Sequence, residues 1–189
     1  MRETGPHTWD DYVALTDEDD FRELWDGWLV EPEDCNAHHE YIVAALALSL
    51  VPFTRRHGGG ALLSGFKVKI DHHNGVYPDA QLYRRGRRPP PQSYGTEVPP
   101  DLVVEVISPG KEHLDRILKR DAYARCGVPE YWIIDPELEQ FERLVLNENG
   151  AYDLAEVLTG DVTFSSSTFP DLVVDLAELW HYEEASAAE

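Results

Sequence analysis

Cysteine is scarce in this sequence. Cys35 and Cys126 are the only two in 189 residues, and their spacing fits neither a disulfide framework nor a structural zinc motif. A reduced, cytoplasmic setting is the expectation. Long apolar runs are missing too. The longest, "YIVAALALSLVPF", is too short to cross a bilayer and ends at Pro52, so no membrane partner is expected. The opening "MRETGPHTWDDY" lacks a basic stretch followed by an apolar one, the mark of a secretory signal. Several catalytic signatures are absent: there is no GxSxG elbow, no P-loop and no GxGxxG after a strand. "HGGG" at residues 57–60 mimics an oxyanion loop, but no nucleophile elbow accompanies it. The adjacent pairs His38-His39 and His72-His73 would diverge on a helix and point to opposite faces on a strand, which argues against zinc sites built from them.

Positive charge is also short. Lys and Arg number 16 against 36 Asp and Glu, a net charge of −20. That balance speaks against a polyanionic partner, but its distribution is uneven. Residues 1–54 carry 2 basic and 13 acidic residues, a net of −11, and residues 126–189 carry 1 and 15, a net of −14. Residues 55–125 carry 13 and 8, a net of +5. This pattern suits either a solvated acidic surface or a positive face for an anionic substrate on a negative body.

What is present is a foldable core. Apolar residues make up 42% and aromatics 11% of the chain, which excludes wholesale disorder. The length suits one domain, with no internal repeat and no domain-splitting linker. Residues 1–19 read as an acidic arm, 20–182 as the domain and 183–189 as a flexible acidic tail. "FRELWDGWLV" reads as a hairpin around Asp26-Gly27. Asn36 can cap a buried helix, "AHHEYIVAALALSLV", that Pro52 ends or kinks. After a flexible "HGGG", "ALLSGFKVKI" alternates over its second half as a half-buried strand does, "GVYPDAQLYRR" reads as the next strand, begun by Pro78, and "GRRPPPQSYGTEVPP" as a surface loop. "DLVVEVIS" is a central strand, residues 112–126 a helix stopped by Gly127, and "EYWIIDP" another buried strand. Two strands flank the turn "NENG", and a strand and short helix close the chain. The sum is a mixed β-sheet flanked by helices, in one α/β or α+β domain.

Two stretches carry candidate chemistry. Asp79 in "YPDAQLY" and Glu105 in "LVVEVIS" each put a carboxylate on a strand, with one loop between the strands. As sheet neighbours they can converge on a hard cation such as Mg²⁺ or Mn²⁺. A Glu within a Val/Ile run is costly to bury unless a metal or a cation partners it. An Arg or backbone donors would serve as well, and Pro-Asp is also ordinary turn chemistry. On the following helix, Leu114, Ile117, Leu118 and Ala122 form the apolar stripe, with Asp115 and Lys119 at its rim. From there Lys119 can position a water or offset charge on a phosphoryl group. A plain i, i+4 pair with Asp115 accounts for the spacing equally well.

"YPDAQLY" with "PPDLVVEVISPGKEHLDRILKRDAYARCGVPEYWIIDP" resembles the Uma-two family of restriction endonucleases, a branch of the PD-(D/E)XK nuclease superfamily. The resemblance extends from "LWDGWLVEPEDCNAHHEYIVAALALSL" to "FPDLVVDLAELW", about residues 20–182. It implies a restriction endonuclease-like fold, Mg²⁺ or Mn²⁺ as cofactor, DNA as substrate, and a homodimer. By the superfamily pattern Asp79 and Glu105 bind the metal, helped by the carbonyl of Val106 or Ile107. The usual lysine position falls on Ile107, and Lys119 stands in for it. Glu31, with Glu40 second, is the candidate for an upstream acid, and His38 matches a histidine of the pattern. Tyr123 and Trp132 match family positions but suit core roles. Arg84, Arg85, Arg87 and Arg88 are available for backbone phosphates. The implied activity is metal-dependent phosphodiester hydrolysis. Its alternatives are a non-catalytic nuclease-fold binding module and a hydrolase of another phosphate ester.

Overall fold

The structure is a computed structural model that describes residues 5–15, 21–31, 35–63, 66–110 and 112–182. The acidic tail assigned to 183–189, and residues 1–4 and 16–19 of the arm, lie outside the described residues. Helix α1 (Trp9–Ala14) begins at a Thr8–Asp11 capping box, which satisfies two helix-end donors reciprocally. The hairpin follows as expected: β1 (Glu23–Trp25) and β2 (Trp28–Val30) pair in antiparallel register across Asp26 and Gly27. Both turn residues have positive φ, 48° and 80°, as the tight hairpin turn demands.

Helix α2 (Ala37–His57) starts at the Asn36 cap and runs through Pro52 to Gly58, which is left-handed. Pro52 therefore does not end it. Ile42, Leu46, Leu50 and Phe53 face the core, while Leu48 is exposed, so the helix is buried along one stripe only. The "HGGG" segment is not a loose turn either. Gly58 closes α2, and a Cβ on Gly59 would stand 2.1 Å from the Tyr83 carbonyl oxygen. Only glycine fits so close to a neighbouring backbone.

The stretch "ALLSGFKVKI", expected as one strand, is two strands in different sheets: β3 (Gly60–Leu63) and β4 (Lys67–Asp71). "GVYPDAQLYRR" divides likewise into β5 (Asn74–Val76) and β6 (Ala80–Tyr83). Pro78 sits at the break, where a missing backbone donor costs no ladder bond. Next come β7 (Gly95–Thr96) and β8 (Leu102–Val106). The expected helix 112–126 is half α. A π-helical segment, Leu114–Lys119, leads into α3 (Arg120–Cys126), which Gly127 ends. Strands β9 (Glu130–Asp135), β10 (Gln140–Leu146) and β11 (Tyr152–Thr159) follow, then the hairpin of β12 (Thr163–Ser165) and β13 (Val173–Asp175), and α4 (Ala177–Trp180).

The main sheet has the order β11-β10-β9-β8-β6-β3 and a smaller one the order β2-β1-β5-β4-β7. Among the described strands of the main sheet only β8 and β9 run parallel, and the π-segment and α3 form the crossover that a parallel pair requires. Strand alternation sorts the side chains of β8. Leu102, Val104 and Val106 join α2, Trp132 and Phe141 in one core cluster, whereas Val103 and Ile107 join Tyr123, Tyr131 and Val68 in another. Glu105 falls in the Val103/Ile107 set by period two. It is thereby aimed between the main sheet, α3 and the small sheet. The result is a mixed α+β architecture with helices flanking the sheets.

Candidate active site

The place to which Glu105 points is a cavity of about 780 Å³, lined by Glu23, His39, Asp79, Glu105, Asp115 and Lys119 among others. Asp79 and Glu105 approach it from neighbouring strands, since Ala80 of β6 is opposite Val104 of β8. The Asp79 carboxylate is fixed on two sides: its Oδ2 accepts from the Val106 amide at 2.7 Å and lies 3.2 Å from His39 Nε2. Glu105, 2% exposed, accepts from the Tyr123 hydroxyl and, at 3.1 Å, from Lys119 Nζ. Tyr123 is thus more than a core aromatic, while Trp132 is a core aromatic whose Nε1 serves Glu130.

Lys119 is not at a rim. The π-helical segment turns Asp115 and Lys119 inward, leaving both under a tenth exposed, and turns Ile117 and Leu118 outward, each 47% exposed. The apolar stripe read from α-helical spacing is therefore displaced. A wider turn changes which residues share a face. Besides Glu105, Lys119 Nζ lies 3.4 Å from Asp115 Oδ1 and 3.6 Å from Glu23 Oε1. The i, i+4 pair and the reach to Glu105 both exist.

Glu23 is the acid that sequence reasoning missed. It sits on β1, 8% exposed, with Oε1 accepting from the Tyr77 amide at 3.2 Å and Oε2 from Trp25 Nε1 at 2.9 Å. No local signal marks it within an acidic N-terminal segment. Only the pairing of β1 with β5 carries it to the cavity. Glu31 and Glu40 also line the cavity but are exposed. Of the described residues, Glu23, Glu105 and Asp115 are the ones paired with Lys119.

His38 is not brought into this group. Its Nε2 lies 3.3 Å from the Leu179 carbonyl oxygen and its ring stands beside Tyr182. Its neighbour His39 meets Asp79 instead, because successive helical residues point about 100° apart. The arginines are elsewhere as well. None of Arg84, Arg85, Arg87 and Arg88 lines the cavity. They follow β6 at the end opposite Asp79, where Arg87 pairs with Asp101 at 3.1 Å and Arg84 reaches the Thr168 carbonyl at 3.0 Å.

Charge in the cavity is unbalanced. Among the described lining residues, Glu23, Asp79, Glu105 and Asp115 lie with the Lys119 ammonium and the His39 imidazole, and Asp26, Glu31 and Glu40 add three more carboxyl groups. Burial raises the Glu105 carboxyl well above its ordinary range; Lys119 opposes this, while Asp79, Asp115 and Glu23 add to it. Asp115 is raised likewise, by burial first. Burial would lower Lys119, but the facing carboxylates outweigh it and hold the ammonium charged. His39 follows the same logic: burial lowers it, yet Asp79 and Cys35 beside it push it up to about 10. Asp115 Oδ1 is buried, with the long contact to Lys119 Nζ at 3.4 Å and no hydrogen bond of good geometry. Such a crowd of hard oxygen donors short of positive charge fits a divalent cation such as Mg²⁺.

Comparisons with known proteins agree with this architecture. A family model, Uma2, described as "Putative restriction endonuclease", matches residues 9–177. A search of curated proteins finds none that matches. Among solved structures, a nuclease from Anabaena variabilis, described as putative and as belonging to DUF820, superposes with a TM-score of 0.74 at 17% identity, covering 93% of this chain and 98% of its own. The likeness at that identity is one of fold.

Proposed function

The chain belongs to the Uma2 family, and from that premise we propose that it is a metal-dependent nuclease that hydrolyses phosphodiester bonds of DNA. The observation that carries the reading is the cluster itself: Glu23, Asp79, Glu105 and Asp115 gathered around Lys119 in one cavity.

Asp79 and Glu105, with Glu23 and Asp115 beside them, would hold Mg²⁺ or Mn²⁺. When bound, the ion polarises the scissile phosphate and lowers the pKa of a coordinated water. The chain's own groups do the rest. The Val106 amide and His39 hold the Asp79 carboxylate in one orientation, and the Tyr123 hydroxyl does the same for Glu105. Lys119, kept cationic by its carboxylate neighbours, donates a hydrogen bond to the attacking water and offsets charge developing on the phosphoryl oxygens. Water oxygen bonds to phosphorus, one P–O ester bond breaks, and the departing oxygen takes up a proton. Three aromatics, Phe21, Trp25 and Tyr77, line the same cavity, and the exposed Phe21 offers a face on which a base can stack.

The test is cleavage of duplex DNA, single-stranded DNA, RNA and a small phosphodiester, each with Mg²⁺, with Mn²⁺ and with chelator. Metal-dependent cleavage of DNA is expected, lost in Asp79→Asn, Glu105→Gln and Lys119→Met. Cleavage of the small diester alone would redirect the assignment to another phosphate ester. An inert protein with no divalent-ion binding by calorimetry would leave a nuclease-fold binding module.

A further inference from the structure

At the edge of the same cavity, the first turn of α2 brings together donors of a different kind. One donor atom each from Cys35, His39 and Glu40 lie within 4.8 Å of one another. We propose that these three residues form a second metal centre, selective for a thiophilic divalent cation such as Zn²⁺ and adjoining the carboxylate cluster through the His39–Asp79 contact. This inference does not depend on nuclease activity.

Local structure explains the grouping. The Asn36 side chain caps α2 by accepting from the His39 amide at 2.9 Å. That bond fixes the turn, so Cys35, just before the cap, stands beside His39 and Glu40. His39 is 4% exposed. Its Nδ1 is buried with no hydrogen bond of good geometry, lies 3.8 Å from Glu40 Oε1, and has Cys35 beside it. A buried ring nitrogen left in that state asks for a ligand. The opposite nitrogen, Nε2, lies 3.2 Å from Asp79 Oδ2. A carboxylate behind the far nitrogen is the usual support of a metal-bound histidine, fixing the ring and making the near nitrogen a better donor.

The donor set decides the metal. Thiolate and imidazole favour Zn²⁺ over Mg²⁺, whereas the oxygen-only cluster nearby favours the reverse. Bonds of about 2.0–2.3 Å to a tetrahedral ion place its ligands roughly 3.3–3.8 Å apart, so little closure is needed. Cys35 and Glu40 are exposed and all three residues line the cavity, which gives the ion a way in and leaves a fourth position facing the cavity. The two cysteines show no metal pattern when read against each other. The pattern is Cys-x3-His-Glu within one chain segment.

The experiment is a Co²⁺ titration of the full-length, metal-free protein in excess Mg²⁺, followed by absorption. The expected result is a near-ultraviolet thiolate-to-cobalt band and tetrahedral visible bands, saturating at one ion per chain and abolished by Zn²⁺. Cys35→Ser should remove the thiolate band while circular dichroism and the melting transition stay unchanged. Cys126→Ser should keep it, and Asp79→Asn should weaken Co²⁺ binding by about 10–100-fold. Zn²⁺ should also protect Cys35 from alkylation. A spectrum without the thiolate band, a band that follows Cys126, or alkylation indifferent to Zn²⁺ would each overturn the proposal. The optical readout involves no cleavage, so its failure and that of the nuclease reading are told apart.

Discussion

Lys119 Nζ lies 3.1 Å from Glu105 Oε2, reaching a strand carboxylate from the helix that follows the strand. The usual arrangement puts the lysine two residues on, where this chain has Ile107. Ile107 cannot hold the role, because it is buried in the apolar cluster with Val103 and Tyr123. The π-helical segment brings Lys119 to Glu105, and Glu23 and Asp115 pair with the same ammonium.

Removing that ammonium should expose how the cluster is balanced. Lys119→Met leaves Glu105 buried and uncompensated, which costs about 3–5 kcal/mol in urea unfolding at neutral pH. Adding Glu105→Gln should recover part of the loss, since the most buried of the facing carboxylates is then neutral. A loss in Lys119→Met below about 1 kcal/mol would mean that Lys119 does not neutralise this group.

A buried carboxylate in a strand need not be a site, and Glu130 makes the contrast. It is fully buried on β9, held by Arg143 through two hydrogen bonds of 3.1 Å and by Trp132 Nε1 at 2.7 Å. Arg143→Met should cost about 3–5 kcal/mol of stability by the same argument. Divalent-ion binding by the folded variant, measured calorimetrically, should equal that of the wild type. A changed affinity would tie Glu130 to the site after all.

His39 predicts a pH dependence in metal-free protein. Its folded pKa is raised from 6.5 to about 10, so the folded state holds the proton more tightly than the unfolded one. The resulting stabilisation is fully present below pH 6.5 and is lost as pH rises through about 10. A tenfold difference in proton affinity between the two states is worth about 1.4 kcal/mol, so the loss is on the order of a few kcal/mol. Urea midpoints measured between pH 6 and 10 with chelator should fall in the wild type and fall much less in His39→Gln. Parallel curves would show that the imidazole carries no such charge.

Much of the fold is legible in local pattern. The Asp26-Gly27 hairpin, the Asn36 cap, the Gly127 stop and the apolar "DLVVEVIS" strand each follow from one backbone preference or one period. Errors arise where two elements share an unbroken pattern. β3 and β4 read as one strand because the apolar stretch runs directly into the alternating one, and only pairing partners in two sheets separate them. Of the two expectations for Pro52, an end or a kink, the end is not met: α2 runs on to His57, although an interior proline gives up one helical bond and crowds the preceding turn.

By itself the sequence determined that a carboxylate stands inside an apolar strand, that another stands one loop earlier, and that a lysine waits on the next helix. It also determined a family likeness through those same residues. Tertiary structure alone decided which further groups join them. Glu23 arrives through strand pairing, and His39 displaces His38 because neighbours on a helix face different ways. Asp115 and Lys119 turn inward because the helix winds in π rather than α geometry. Each of these depends on contacts between residues far apart in the chain, and no period of two or 3.6 encodes them.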